Sequence, residues 1–303
     1  MGFSENLYYA KWFFDCKFRG KRKPLQSVIF ITDRCNLRCV HCNVVKEGPE
    51  VQTRSYAQIE ETLQQCYDAG SRIVDFEGGE PLLWRDGPHN IDSLIALAKR
   101  IGFHTTTVTT NGQLPITVKP NLIWVSLDGM EQAHDATRGN GSWRRLMDNI
   151  EACEFSNLNV NMTITTLNYK DVEDVVRFVG DHPKIKKISL SFYTPYEGRD
   201  LLVDRATRNE ILELLLRLKR EGLPLMNSAA GLKLMRDPLK VSAGRQCWIS
   251  NFVVADGTRL NACPGESAGI CDECGFGMGA EMALLFKLHP EMLKAGLSVR
   301  ASS

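Results

Sequence analysis

Between residues 27 and 222, short runs rich in β-branched residues alternate with amphipathic, capped stretches, and this alternation restricts the possible folds more than any other feature. Six strand-like runs occur: SVIFIT (27–32), RIVDFEGGEP (72–81), HTTTVTTNG (104–112), LIWVSLDG (122–129), LNVNMTIT (158–165) and KKISLSF (186–192). Helical patterns fall at 55–70, 92–101, 143–154, 172–179 and 207–222. Two of them open with capping boxes, Ser55 with Gln58 and Thr207 with Glu210, and two stop at glycine, Gly70 and Gly102. Such alternation indicates parallel βαβ units. Six units are too few for a closed eight-stranded barrel, which leaves an open partial barrel or a doubly wound sheet. In either, ligands gather at the C-terminal ends of the strands. A cysteine-rich loop after residue 32, GGEP (78–81), TTNG (109–112) and SLDG (126–129) all follow strand ends. Four chemically loaded loops are therefore expected on one rim.

With 43% hydrophobic residues, the 303-residue chain has enough apolar content for a sizeable core. A formal net charge of +1 gives no reason to expect a nucleic-acid partner. No run of eighteen apolar residues is present, and the N-terminus lacks the order of a secretory signal. Ten cysteines without a secretory signal point to a reduced, cytoplasmic, metal-using protein rather than a disulfide framework. Seven of them form two groups, Cys35, Cys39, Cys42 and Cys247, Cys263, Cys271, Cys274, whereas Cys16, Cys66 and Cys153 stand alone as expected core residues.

The first group, in TDRCNLRCVHCN (32–43), is one ligand short of a closed four-thiolate site. A zinc knuckle using His41 is one reading, although adjacent residues 41 and 42 reach one tetrahedral ion with difficulty. A cluster held by three thiolates, with one iron left for a small chelating molecule, is the other. CNLRCVHC matches the CxxxCxxC motif and so resembles the radical SAM enzymes. That resemblance implies a partial (β/α)6 TIM-like barrel, a [4Fe–4S] cluster on Cys35, Cys39 and Cys42, and S-adenosylmethionine on the open iron. Reductive cleavage there would give a 5′-deoxyadenosyl radical that abstracts a substrate hydrogen. By the same resemblance, Gly78, Gly79, Glu80 and Pro81 meet the methionine amine. Glycines permit close backbone approach, and carbonyls with the Glu80 carboxylate accept from an ammonium. Thr110 and Asn111 resemble the next cofactor loop. Ser126 and Asp128 are expected near the carboxylate or ribose, and residues 191–200 along the adenine. The resemblance covers residues 27 to about 200. No catalytic acid or base stands out.

The second group has 15, 7 and 2 residues between successive cysteines, and FVVADGTRL (252–260) reads as a hairpin turning at Asp256–Gly257. Spacing alone leaves zinc and iron–sulfur equally open. In this position the segment resembles the SPASM/twitch extensions of radical SAM enzymes. Four cysteines fit the shorter twitch form with one auxiliary [4Fe–4S] cluster, closed and therefore suited to electron transfer. The spacing departs by one residue from the family's Gly-x4-Cys, since five residues separate Gly257 from Cys263.

Three regions are expected: residues 1–26, an amphipathic basic and aromatic segment; 27–225, the barrel; and 226–303, the Cys-rich twitch-like domain. The first segment is expected as a helix across the barrel base, with contact to anionic lipid as the sharper alternative. The stretch 282–297 is also amphipathic. No leader-recognition module precedes the barrel in this sequence, so a small-molecule or lipid substrate ranks above a peptide. An electron donor such as flavodoxin or ferredoxin is the expected protein partner. The alternatives are a peptide maturase using a separate recognition protein and a zinc-stabilised binding module.

Overall fold

A computed structural model describes residues 3–196, 198–243, 246–260 and 263–292. The six expected strands are present as β1 (Gln26–Phe30), β2 (Ile73–Glu77), β3 (Thr105–Thr110), β4 (Leu122–Ser126), β5 (Leu158–Ile164) and β6 (Ile185–Phe192). They are parallel and hydrogen-bonded in sequence order. The helices that cross between them are α2 (Tyr56–Ala69), α3 (Ile91–Ile101), α4 (Glu131–Arg138), α5 (Ser142–Ala152) and α6 (Val172–Asp181); α1 (Phe3–Phe18) precedes β1 and α7 (Arg205–Arg220) follows β6. Sequential order without a reversal gives the partial TIM-like barrel rather than the doubly wound sheet, which needs a switch point.

Local sequence explains most element ends. The Ser55–Gln58 capping box is formed, and Gly70 and Gly102 close α2 and α3 in the left-handed region, at φ +119° and +113°. Two expectations need correction. Helix α7 is capped by Asp204, whose carboxylate accepts from Thr207 N at 2.8 Å, and not by Thr207 with Glu210. Cys153 lies at the C-cap of α5 rather than inside it. The short helix α4 has no counterpart in the sequence reading.

The tail adds α8 (Ala229–Leu234), α9 (Pro238–Ala243), β7 (Ser250–Val253), β8 (Arg259–Leu260), α10 (Pro264–Ser267) and α11 (Gly277–Phe286). The expected hairpin is present, with Gly257 at φ +94° and Asp256 accepting from Thr258 N at 2.7 Å. Its partner was not foreseen. Strand β7 pairs in parallel with β1, Gln26 opposite Ser250 and Ile29 opposite Val253, so one sheet of eight strands runs β6-β5-β4-β3-β2-β1-β7-β8. Below the sheet, Trp12 and Cys16 of α1 pack with Ile249 and Phe286 in a second small core. Cys16, Cys66 and Cys153 are all buried, as expected of core residues.

Candidate functional site: two cysteine groups around a barrel cavity

The rim loops meet at the cysteine loop. Gly79 N donates to Thr32 O at 2.7 Å and Glu80 N to Arg34 O at 2.8 Å. A Cβ on Gly78 would overlap Thr32 O, and one on Gly79 would overlap Arg34 O. The two glycines are thus required for contact with the strand that delivers the cysteines. Glu80 is wholly buried. Its Oε1 accepts from Leu82 N and Thr110 Oγ1 at 3.0 and 2.7 Å, and its Oε2 from Asn111 N at 2.8 Å. This carboxylate ties GGEP to TTNG. From there Asn111 Nδ2 donates to Asn36 Oδ1 at 2.8 Å and lies 3.5 Å from Cys35 Sγ.

SLDG reaches the cysteine loop through a residue that sequence reasoning missed. Arg138, at the end of α4, donates from Nε to Asp128 Oδ2 at 2.7 Å and pairs with it through Nη2 at 2.6 Å. Its Nη1 is 3.8 Å from Cys39 Sγ. Thr163 N donates to the other Asp128 oxygen, and His41 Nε2 stands 3.6 Å from the carboxylate. Burial would raise the Asp128 carboxyl, but Arg138, His41 and Thr163 together hold it below the usual range. Burial pushes the Cys39 thiol up to about 11 against the pull of Arg138, and raises Cys35 against the Leu37 amide. His134, beneath this pair, is lowered to about 4 by burial and then by Arg138. Nothing in a short polar helix marks its last arginine as buried, so Arg138 carried no sequence signal.

Inside the sheet lies a cavity of about 920 Å³. It follows β1 from Gln26 through Val28 to Phe30 and is walled by the inward residues Asp75, Glu77, Thr109, Trp124, Asn161, Ser189 and Ser191. Asp33 and Asn43, either side of the first cysteine group, stand at one end. All four tail cysteines, Cys247, Cys263, Cys271 and Cys274, contribute wall as well. Cys263 is drawn down to about 6 by the hydrogen bond from Cys247, whose own thiol rises for the same reason. The Tyr196 hydroxyl, buried near Cys263, Cys271 and Cys274, finds no hydrogen-bond partner among the described residues, and burial raises its pKa.

Two carboxylates on the cavity wall also escaped the sequence reading. Asp75 and Glu77 project from the same face of β2, in register with Val28 and Phe30. Thr109 Oγ1 donates to Asp75 from 3.2 Å. Burial pushes Asp75 up to about 6, and burial and then the Asp75 charge push Glu77 up further. Burial and the repulsion between two neighbouring acids both favour keeping a proton on the pair. The alternation D-F-E was visible in the sequence, but which face turned inward was not.

The donor sets suit iron–sulfur chemistry. Among the described residues no three His, Cys, Asp or Glu side chains are close enough to hold one metal ion. In each group the thiols are partly buried and within electrostatic reach of one another, three on the rim and four beside the cavity. Side-chain N–H groups of Asn111 and Arg138 approach two of the rim sulfurs, as hydrogen bonds to cluster thiolates require.

Comparison with known proteins agrees with this arrangement. Fe-coproporphyrin III synthase of Methanosarcina barkeri is 27% identical over 229 residues, covering 69% of this chain and 55% of that protein. Pre-heme d1 synthase of Dinoroseobacter shibae is 31% identical over 196 residues, covering 60% of this chain and 46% of that protein. The chain thus spans about half the length of these curated relatives. Among solved structures, SuiB of Streptococcus suis bound to S-adenosylmethionine has a TM-score of 0.63 at 20% identity, covering 86% of this chain and 66% of SuiB. SuiB has also been solved bound to the precursor peptide SuiA, with a TM-score of 0.62. A family profile described as the Radical SAM superfamily matches residues 29–181, from β1 to the end of α6. That is half of the sequence and contains the whole rim, and the chain belongs to the Radical SAM superfamily, enzymes that use S-adenosylmethionine with a [4Fe–4S] cluster.

Proposed function

We propose that this enzyme oxidises an organic substrate held in the barrel cavity, with the tail cysteine group on its wall, the rim cysteine loop at its end and the Asp75–Glu77 pair as proton acceptor. The observation that carries this reading is the shared cavity, which touches the flanks of the rim cysteine loop, all four tail thiols and the carboxylate pair. Cys35, Cys39 and Cys42 would hold the cleaving cluster, and Cys247, Cys263, Cys271 and Cys274 an auxiliary [4Fe–4S] cluster. When bound, the clusters and S-adenosylmethionine supply hydrogen-atom abstraction at one wall and a one-electron acceptor at another. The backbone of Gly78–Pro81 and Ser126 would face the cofactor. Glu80, Thr110, Asn111 and Asp128 hold the cysteine loop in place, because their polar atoms are engaged with protein. Loss of one hydrogen atom, one electron and one proton leaves the substrate two electrons more oxidised. The proton passes to the shared Asp75–Glu77 site. A separate one-electron donor of the flavodoxin or ferredoxin type would drive cofactor cleavage.

The apolar wall residues Val28, Phe30, Trp124, Phe252 and Met282, and a volume in the usual range of small-molecule sites, favour a small molecule or lipid. A peptide substrate is the second reading, supported by the likeness to SuiB, which has been solved with a precursor peptide. Anaerobic reconstitution should load about eight iron atoms per chain, and about four after Cys263→Ser. Loading of about four in the unaltered chain would rule out the auxiliary cluster. Incubation with S-adenosylmethionine, reductant and fractionated extract of deuterium-grown cells should then label 5′-deoxyadenosine from the organic-soluble fraction. Label arising only from the peptide fraction would establish the second reading instead.

A further inference from the structure

Helix α1 is apolar on two opposite faces, and among the described residues only one is covered. Trp12 and Cys16 are buried against Ile249 and Phe286. On the other side Leu7, Phe14 and Phe18, seven and four residues apart and hence on one stripe, are 60%, 49% and 60% exposed. The Phe14 and Phe18 rings lie against each other, centroids 5.3 Å apart, with Arg19 over Phe14. Exposed Lys11 and Lys17 flank the stripe, and exposed Arg22 and Lys23 follow the helix. The sole acid between residues 11 and 23, Asp15, is nearly buried and already engaged by Arg19 and Lys21. An apolar stripe bordered by cations that have no ion pair among the described residues matches one kind of surface, the interface of an anionic bilayer. Among the described residues no helix is long and apolar enough to cross a membrane, so contact would be peripheral.

We propose that α1 docks the protein on an anionic phospholipid surface, with Leu7, Phe14 and Phe18 entering the headgroup region and Lys11, Lys17, Arg22 and Lys23 facing lipid phosphates. The fold gives this position a use. Ile249 and Met282 pack in the same small core as Trp12 and also line the barrel cavity. The cavity floor therefore lies about one helix diameter, roughly 10 Å, behind the docking face. Docking itself does not depend on the chemistry of the cavity, so vesicle binding and label transfer succeed or fail separately.

Flotation of the full chain with phosphatidylcholine/phosphatidylglycerol vesicles, and with phosphatidylcholine alone, tests the proposal. Binding to the mixed vesicles only, lost at high salt, is expected. Phe14→Ser with Phe18→Ser should lower partitioning about tenfold or more, and Lys17→Ser with Arg22→Ser about tenfold. Both pairs are exposed, so melting midpoints should stay within a few degrees of the unaltered chain. Absence of flotation with the mixed vesicles, or equal flotation of all forms, would overturn docking. So would a stable dimer that Phe14→Ser with Phe18→Ser dissociates, since a second copy would then cover the stripe.

Discussion

At the scale of single residues, the site depends on charges that the fold has taken out of water. Asp128 is fully buried and compensated chiefly by Arg138. Arg138→Gln leaves that carboxylate without its cation and should cost about 3 kcal/mol in denaturant unfolding. Adding Asp128→Asn should return part of the loss, because the two side chains act as one unit. Asp75 behaves oppositely. Its folded-state pKa is raised by burial from 3.8 to about 6, so the folded chain holds the extra proton between those values. Stability contributed at low pH is therefore lost as pH rises through that window. Asp75→Asn should stabilise the protein near pH 8 by roughly 2 kcal/mol, with the gain vanishing near pH 3. The same variant should slow substrate oxidation while leaving iron content unchanged. Undiminished turnover would remove the pair from the proposed mechanism.

At the scale of elements, most ends were legible and the contacts between loops were not. The Ser55–Gln58 box, the glycine stops and the Asp256–Gly257 turn are local chemistry, and they form as read. Asp204 takes the place of Thr207 as the cap of α7, because the helix begins one turn earlier and the Asp204 carboxylate accepts from the amide of Thr207 itself. Asp204→Ala should cost about 1 kcal/mol in thermal unfolding without altering cofactor content. Gly79→Ala is a sharper test of the rim. Its methyl would collide with the Arg34 carbonyl, displacing the cysteine loop from GGEP. Iron incorporation at the first group should fall severalfold on reconstitution, while four irons at the tail remain. By resemblance, the sequence assigns these glycines to close approach of a cofactor. The structure adds a prior requirement, room for the neighbouring strand's loop.

For the whole molecule, β7 extends the barrel sheet into the tail, beside bonds from Phe192 N to Gly275 O and from Arg208 to Cys274 O. By pairing with β1 it carries Cys247 to the cavity wall, and the return through β8 brings Cys263, Cys271 and Cys274 there too. If those thiols share a cluster, iron removal by a chelator should expose the stretch from Cys263 to Gly275 to limited proteolysis, with the barrel left intact. Equal cleavage with and without iron would separate tail order from metal binding. The sequence by itself determined the parallel alternation, the strand-end loops and the family, because strand and helix periods, turn chemistry and the CxxxCxxC spacing are short-range properties of the chain. Only the tertiary structure decided that D-F-E turns its two acids inward, that Arg138 lies against Cys39, and that a hairpin from the tail extends the barrel sheet. Each of those depends on a contact between residues far apart in sequence, where burial and register, rather than local preference, fix which side chains meet.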